Sequence, residues 1–115
     1  MKEKDEFWRR QVIEAALDHD TERHIAEHQA AVKANPAWAR GHYQLGLLYQ
    51  AQLKPDLAVE HFLKALSIDP RLADAHVALG RVYAVRGEIE KAWEHGRIAY
   101  ALGNPDLLAQ LERHS

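Results

Sequence analysis

The 115-residue sequence predicts an all-α fold of stacked antiparallel helical hairpins, and three observations predict it. Three of the four prolines follow Asn or Asp, at Asn35-Pro36, Asp69-Pro70 and Asn104-Pro105, with spacings of 34 and 35 residues. Laying residues 39–72 over 73–106 without gaps gives nine identities, among them His42/His76, Leu45/Leu79, Gly46/Gly80, Tyr49/Tyr83, Ala58/Ala92 and His61/His95. Chance gives roughly two, so the chain carries an internal duplication. Within each unit the apolar residues recur at helical spacing, in two stripes separated by a short turn.

The first unit, residues 5–38, is divergent: at the repeat offset it shares only Ala31 and Pro36 with the second. Trp8, Ile13 and Leu17 nevertheless read as one helix, and Ile25, Ala30, Ala31 and Val32 as the next, so the unit is expected to be a capping repeat. The second unit, 39–72, carries Leu45, Leu48 and Tyr49 on its first helix, then a turn over Leu53 to Asp56, then Ala58, Phe62, Ala65 and Leu66. The third, 73–106, repeats this with Leu79, Val82 and Tyr83, a turn at Arg86 to Glu88, and Ala92, Ile98 and Ala99. Gly96 stands where the second unit has Phe62, and Trp93 is expected to fill part of that gap. Gly46 and Gly80 each cost about 1 kcal/mol inside a helix, which implies a close helix contact, expected against Ala58 and Ala92. The Asn/Asp-Pro pairs are expected to open helices, the polar side chain capping free N–H groups. Residues 105–114 carry Leu107, Leu108 and Leu111 on one side; so short a helix holds only if it packs on the preceding hairpin.

The run Leu45-Gly46-x-x-Tyr49, followed by Ala58, Phe62, Ala65 and Pro70, resembles the tetratricopeptide repeat at its 34-residue period. The third unit is similar through Leu79-Gly80, Tyr83, Ala92 and Ala99, but departs at Gly96 and has its proline one residue late. The resemblance implies a right-handed α-solenoid of three hairpins plus a C-terminal capping helix, with the first helix of each hairpin lining a concave face. It implies a protein-interaction adaptor whose groove holds a partner peptide or helix. The family's groove positions fall on Arg9, Ile13 and Leu17, on Arg40, Tyr43, Leu47 and Gln50, and on Val77, Arg81 and Val85. Arg9, Arg40 and Arg81 would flank an apolar strip and suit a segment with apolar anchors and one or two carboxylates. Family members that clamp the acidic C-terminal tails of heat-shock chaperones use Lys, Asn and Arg; this chain has Arg9, Ile13, Gln44, Asp74 and Ala78 at the matching positions. Chaperone tails are therefore not the expected partner.

The chain contains eight histidines, so metal binding and acid–base chemistry need weighing. His24 and His28, four apart, share a helix face at a chelating distance, but the intervening residues lack the Glu that the helical zinc-protease motif places after the first His. No metal and no cofactor are expected. His42/His76 and His61/His95 recur with the repeat, which duplication explains before chemistry does; the first two are expected to pack between helices and to soften the array below about pH 6. No cysteine is present, Ser67 lacks the setting of a nucleophile, and the glycines are dispersed, so no catalytic constellation is expected.

Fifteen basic and seventeen acidic residues give a formal charge of −2, which argues against a broad nucleic-acid face. The opening Met1 to Arg10 lacks the apolar stretch of a signal peptide and no later segment approaches a membrane span, so the expected location is cytoplasmic. The alternative to an adaptor is a homo-oligomerising module joined through Phe7, Trp8, Trp38 and Trp93; a His-rich metal-responsive regulator is the third reading.

Overall fold

A computed structural model describes residues 19–114. Its six helices are α1 (His19–Ala34), α2 (Ala39–Ala51), α3 (Pro55–Ile68), α4 (Ala73–Val85), α5 (Ile89–Ala101) and α6 (Asp106–Arg113), with no strand among the described residues. The chain is an all-helical repeat solenoid: α2 packs chiefly on α3 and α4 on α5, α1 lies against α2, and α6 closes the far end against α5 and α4. The helix expected around Trp8, Ile13 and Leu17 lies outside the described residues.

Three of these helices end in the same way. The N–H of Lys54 bonds the Tyr49 carbonyl at 2.9 Å, that of Glu88 bonds Tyr83 at 2.8 Å, and that of Asn104 bonds Ala99 at 2.8 Å. In each case the preceding residue, Leu53, Gly87 or Gly103, has a positive φ of 61°, 82° or 101°. This is the left-handed C-terminal motif, in which one residue reverses the chain and hands the orphan helix carbonyls new donors. Glycine takes that conformation freely; Leu53 takes it at a cost. The turn expected to run to Asp56 is shorter, because Pro55 is already the first helical residue of α3, where its missing N–H costs nothing.

Two of the three Asn/Asp-Pro pairs, Asn35-Pro36 and Asp69-Pro70, follow the end of a helix instead of opening one, whereas Asn104-Pro105 opens α6 as expected. Pro36 and Pro70 stand two residues beyond α1 and α3, and the residues that flank the next helices, Trp38 and Leu72, make no side-chain cap. The Asp69 side chain instead accepts the Arg71 N–H at 3.1 Å, folding a local turn that competes with helix. Asn104 does the same for Asp106 at 3.1 Å and so directs the chain into α6.

Leu45, Ala58, Phe62, Ala65, Leu79, Ala92 and Ala99 are wholly buried along the seam between the helix pairs. The atoms nearest a Cβ at Gly46 belong to the Phe62 ring, which lies directly over it. Gly80 has the same relation to Leu107 of α6, with the Ala92 carbonyl 3.4 Å from where a Cβ would stand. The cap therefore replaces the missing aromatic of the third unit. Leu107 is buried, and Leu107 and Leu111 border Gly96, whose Cβ would stand 3.6 Å and 3.3 Å from them. Trp93, expected to fill this space, instead lines a recess beside α6.

Candidate functional site

Of the expected groove residues, Arg9, Ile13 and Leu17 lie outside the described residues. The structure brings the others together on α2 and α4. Tyr43, Leu47 and Gln50 face Asp74, Val77 and Arg81 across a cavity of about 230 Å³, closed at one end by Asn104 from the turn before α6 and by Asp106, the first residue of α6. Leu47 remains exposed, whereas Val77, read as a groove contact, is buried with Ala99 and Leu107 and forms only the floor. The reason is α6: its apolar side settles on α4 and covers the position.

Beyond Arg81 the surface opens into a second, larger and more apolar recess of about 550 Å³. Its walls are Ala84 and Val85 of α4, Ile89 and Trp93 of α5, and Leu111 of α6. Val85 is 86% exposed and Ile89 47%, an unusual outlay of apolar surface for residues ending one helix and starting the next. A third recess of about 440 Å³, between Leu53, Pro55, Val82 and Val85, continues it across the hairpin turns. Gln50 borders all three.

The two arginines are already engaged. Arg40 reaches from α2 to the Asp74 carboxylate at 3.7 Å and lies 5.9 Å above the Tyr43 ring. Arg81 donates its Nε–H to the side-chain amide oxygen Oε1 of Gln110, in α6, at 3.2 Å. Asp74 also accepts a hydrogen bond from Asn104 at 3.4 Å. Burial, then the charge of Asp74, pushes the Tyr43 phenol above its ordinary value against the pull of Arg40 and Arg81, so it stays protonated. Arg40 and Asp74 are thus paired with each other, while Arg81 is held by a neutral partner.

His24 and His28 do not form a ligand pair. The His28 Nδ1 meets the His24 backbone carbonyl at 2.8 Å and its Nε2 meets the Gln44 side chain at 2.8 Å, while its ring stacks on Trp38. One nitrogen is engaged within α1 and the other joins α1 to α2. No group of three or more potential metal ligands occurs among the described residues, and no described helix is long and apolar enough to cross a membrane.

His42 and His76 are buried between helices. Sequence reasoning missed their partners: His42 faces His61, and His76 faces His95, in each case Nδ1 to Nδ1. The signal was present, since each pair is separated by 19 residues in both repeats. Also missed were Asn104, Asp106, Gln110 and Leu111, because a groove deduced from first helices omits what the cap contributes.

Comparison with known proteins agrees with this architecture. Tetratricopeptide repeat profiles match residues 39–72 and, in a second form, 61–94. The second match is out of phase with the first, as expected where a 34-residue period has no unique origin. No curated protein matches the chain. Among solved structures, one titled crystal structure of MamA superposes with a TM-score of 0.70 at 27% identity, over 73% of this chain and 49% of that one. The chain thus spans about half the length of that structural relative.

Proposed function

The chain belongs to the tetratricopeptide repeat family, and from that premise we propose that it is a protein-interaction adaptor that takes a partner segment by apolar anchoring along α2, α4 and α6. Repeats of this kind support protein–protein interaction in general. The observation that carries the finer reading is the recess walled by Val85, Ile89, Trp93 and Leu111, which continues the groove beyond Arg81. Its size suits one or two large apolar side chains of an extended or helical peptide. Arg81 adds specificity: a partner carboxylate offers it a charge-assisted bond in place of the neutral one from Gln110. Arg40, held by Asp74, contributes less.

A chaperone tail is a poor candidate on the same grounds. Gln44 is bonded to His28, Asp74 would repel a carboxylate, and Ala78 is buried.

The test is affinity capture from the native cell with unaltered protein and with Val85→Asp, partners being identified by mass spectrometry. Loss of a specific partner with Val85→Asp supports anchoring in the recess; an identical partner set discards it. A second copy of the chain is the rival occupant, favoured by the exposure of Val85 and Ile89. Sedimentation over a range of concentrations separates the two, since a monomer throughout leaves the heterologous partner.

A further inference from the structure

The groove-lining helix of each hairpin is tied to its back helix by a histidine pair. His42 of α2 and His61 of α3 approach Nδ1 to Nδ1 at 3.4 Å; His76 of α4 and His95 of α5 do so at 3.0 Å. A tyrosine covers each pair: Tyr49 stacks on His61 with ring centres 5.3 Å apart, and Tyr83 on His95 at 5.6 Å. In both pairs the member on the groove-lining helix is buried and the other is part-buried.

Two Nδ1 atoms bond only when one bears hydrogen and the other a lone pair. In the second pair the roles are assigned by a further contact. The His76 Nε2 lies 2.9 Å from the Pro70 carbonyl, an acceptor, so Nε2 carries the hydrogen and Nδ1 of the neutral ring is the acceptor. His95 must then donate its Nδ1–H, which leaves the His95 Nε2 as the site for an incoming proton. A first proton there keeps the bond. A second, on His76 Nδ1, sets two N–H groups head to head and two positive charges on adjoining half-buried rings.

We propose that the two histidine pairs are acid latches, each holding its hairpin closed with one N–H between the rings and releasing it when both rings are protonated. The surroundings oppose the charged form. Burial, then Lys64 and His42, holds His61 below its ordinary value against the opposing pull of Glu60. Burial, then His76, holds His95 below it against Glu94. Tyr49 and Tyr83 are the other titratable groups facing these rings, and Lys91 lies 5.3 Å over the outer ring, Tyr83.

The sign follows from proton counting. In the unfolded chain each of the four imidazoles takes a proton near pH 6.5. A folded pair with its bond intact takes at most one, so unfolding takes up at least two protons in total when the pH is well below 6.5. Stability is therefore fully present above that value and falls with acidification, the folded-to-unfolded ratio dropping about a hundredfold per pH unit for two protons. A chain with single rings in place of the pairs lacks this restriction.

The test is urea unfolding of the unaltered chain at intervals between pH 7.5 and 5.0, beside the His61→Gln/His95→Gln variant. The expected result is a folding equilibrium that declines about a hundredfold more steeply per pH unit in the unaltered chain. Equal slopes overturn the proposal. Long-range ¹⁵N NMR of the imidazoles in the unaltered chain gives an answer that does not depend on the variant folding. A pure Nε2–H tautomer at His76 and incomplete double protonation of the folded pairs at pH 5 are expected. Four independent titrations near pH 6.5 in the folded state overturn it.

Discussion

Leu107 of the terminal helix lies on Gly80 as Phe62 lies on Gly46. One contact comes from within a repeat and the other from beyond it, yet both close the seam between a first helix and its neighbour. The equivalence explains how the third repeat survives with Gly96 in the aromatic position. It also makes α6 a structural part of the last repeat, since the side-chain atom nearest a Cβ at Gly80 belongs to that helix.

Leu107→Ala therefore removes more than a capping contact. Leu107 is 1% exposed, and emptying its site leaves a cavity bounded by Val77 and Ala99. The expected loss is about 3 kcal/mol of folding stability, within the range for buried Leu to Ala changes. Chemical denaturation measures it, and a loss below about 1 kcal/mol would mean that α6 is only loosely seated.

Restoring the family's aromatic should be harmful here. The Gly96 Cβ position already lies 3.3 Å from Leu111, and a Phe ring extending beyond it needs the volume held by Leu107. Gly96→Phe is expected to displace α6 and expose the preceding turn to protease, while Gly96→Phe/Leu107→Ala recovers part of the stability. Limited proteolysis of both chains checks this; a resistant single variant contradicts the exchange of Phe for Leu.

The turns give a cleaner energetic comparison. A Cβ on Gly87 meets nothing within 4 Å, so Gly87→Ala pays only for its φ of 82°. That cost is expected to be about 1 kcal/mol. Leu53 already bears it at φ 61°. Leu53→Gly recovers the strain but adds disorder to the unfolded chain and loses contacts near Pro55 and Val82, leaving a gain of about 0.5 kcal/mol. Thermal melts of both variants measure the difference, and a stabilising Gly87→Ala would contradict the conformational account.

The repeat period, the hairpins and the buried positions were legible in the sequence because duplication prints the same apolar spacing twice. What the prolines do was less legible. An Asn-Pro or Asp-Pro pair suits a helix start and a turn just after a helix equally well, and the same side-chain bond to the N–H two residues on forms in both settings, at Asp69 after α3 and at Asn104 before α6. The groove was half legible: Tyr43, Leu47 and Arg81 follow from helical register, but the burial of Val77 depends on where α6 docks. His42 and His61 each repeat faithfully, yet their meeting requires the crossing geometry of two helices, which a linear pattern does not contain.

Arg40 and Asp74 tie α2 to α4 across the mouth of the groove at 3.7 Å, with 53% and 46% of their side chains exposed. A pair so open to solvent gains little from attraction, and its double-mutant coupling is expected to be under about 1 kcal/mol and to fade at high salt. Arg40→Ala should thus leave the fold nearly as stable. Its effect belongs to recognition, because it bares the Asp74 carboxylate beside Tyr43 and makes that end of the groove more negative. An anionic partner segment should bind more weakly to Arg40→Ala and regain affinity in Arg40→Ala/Asp74→Asn. Fluorescence titration with a labelled partner peptide measures both, and equal affinities in the two variants would place the bound segment away from this end of the groove.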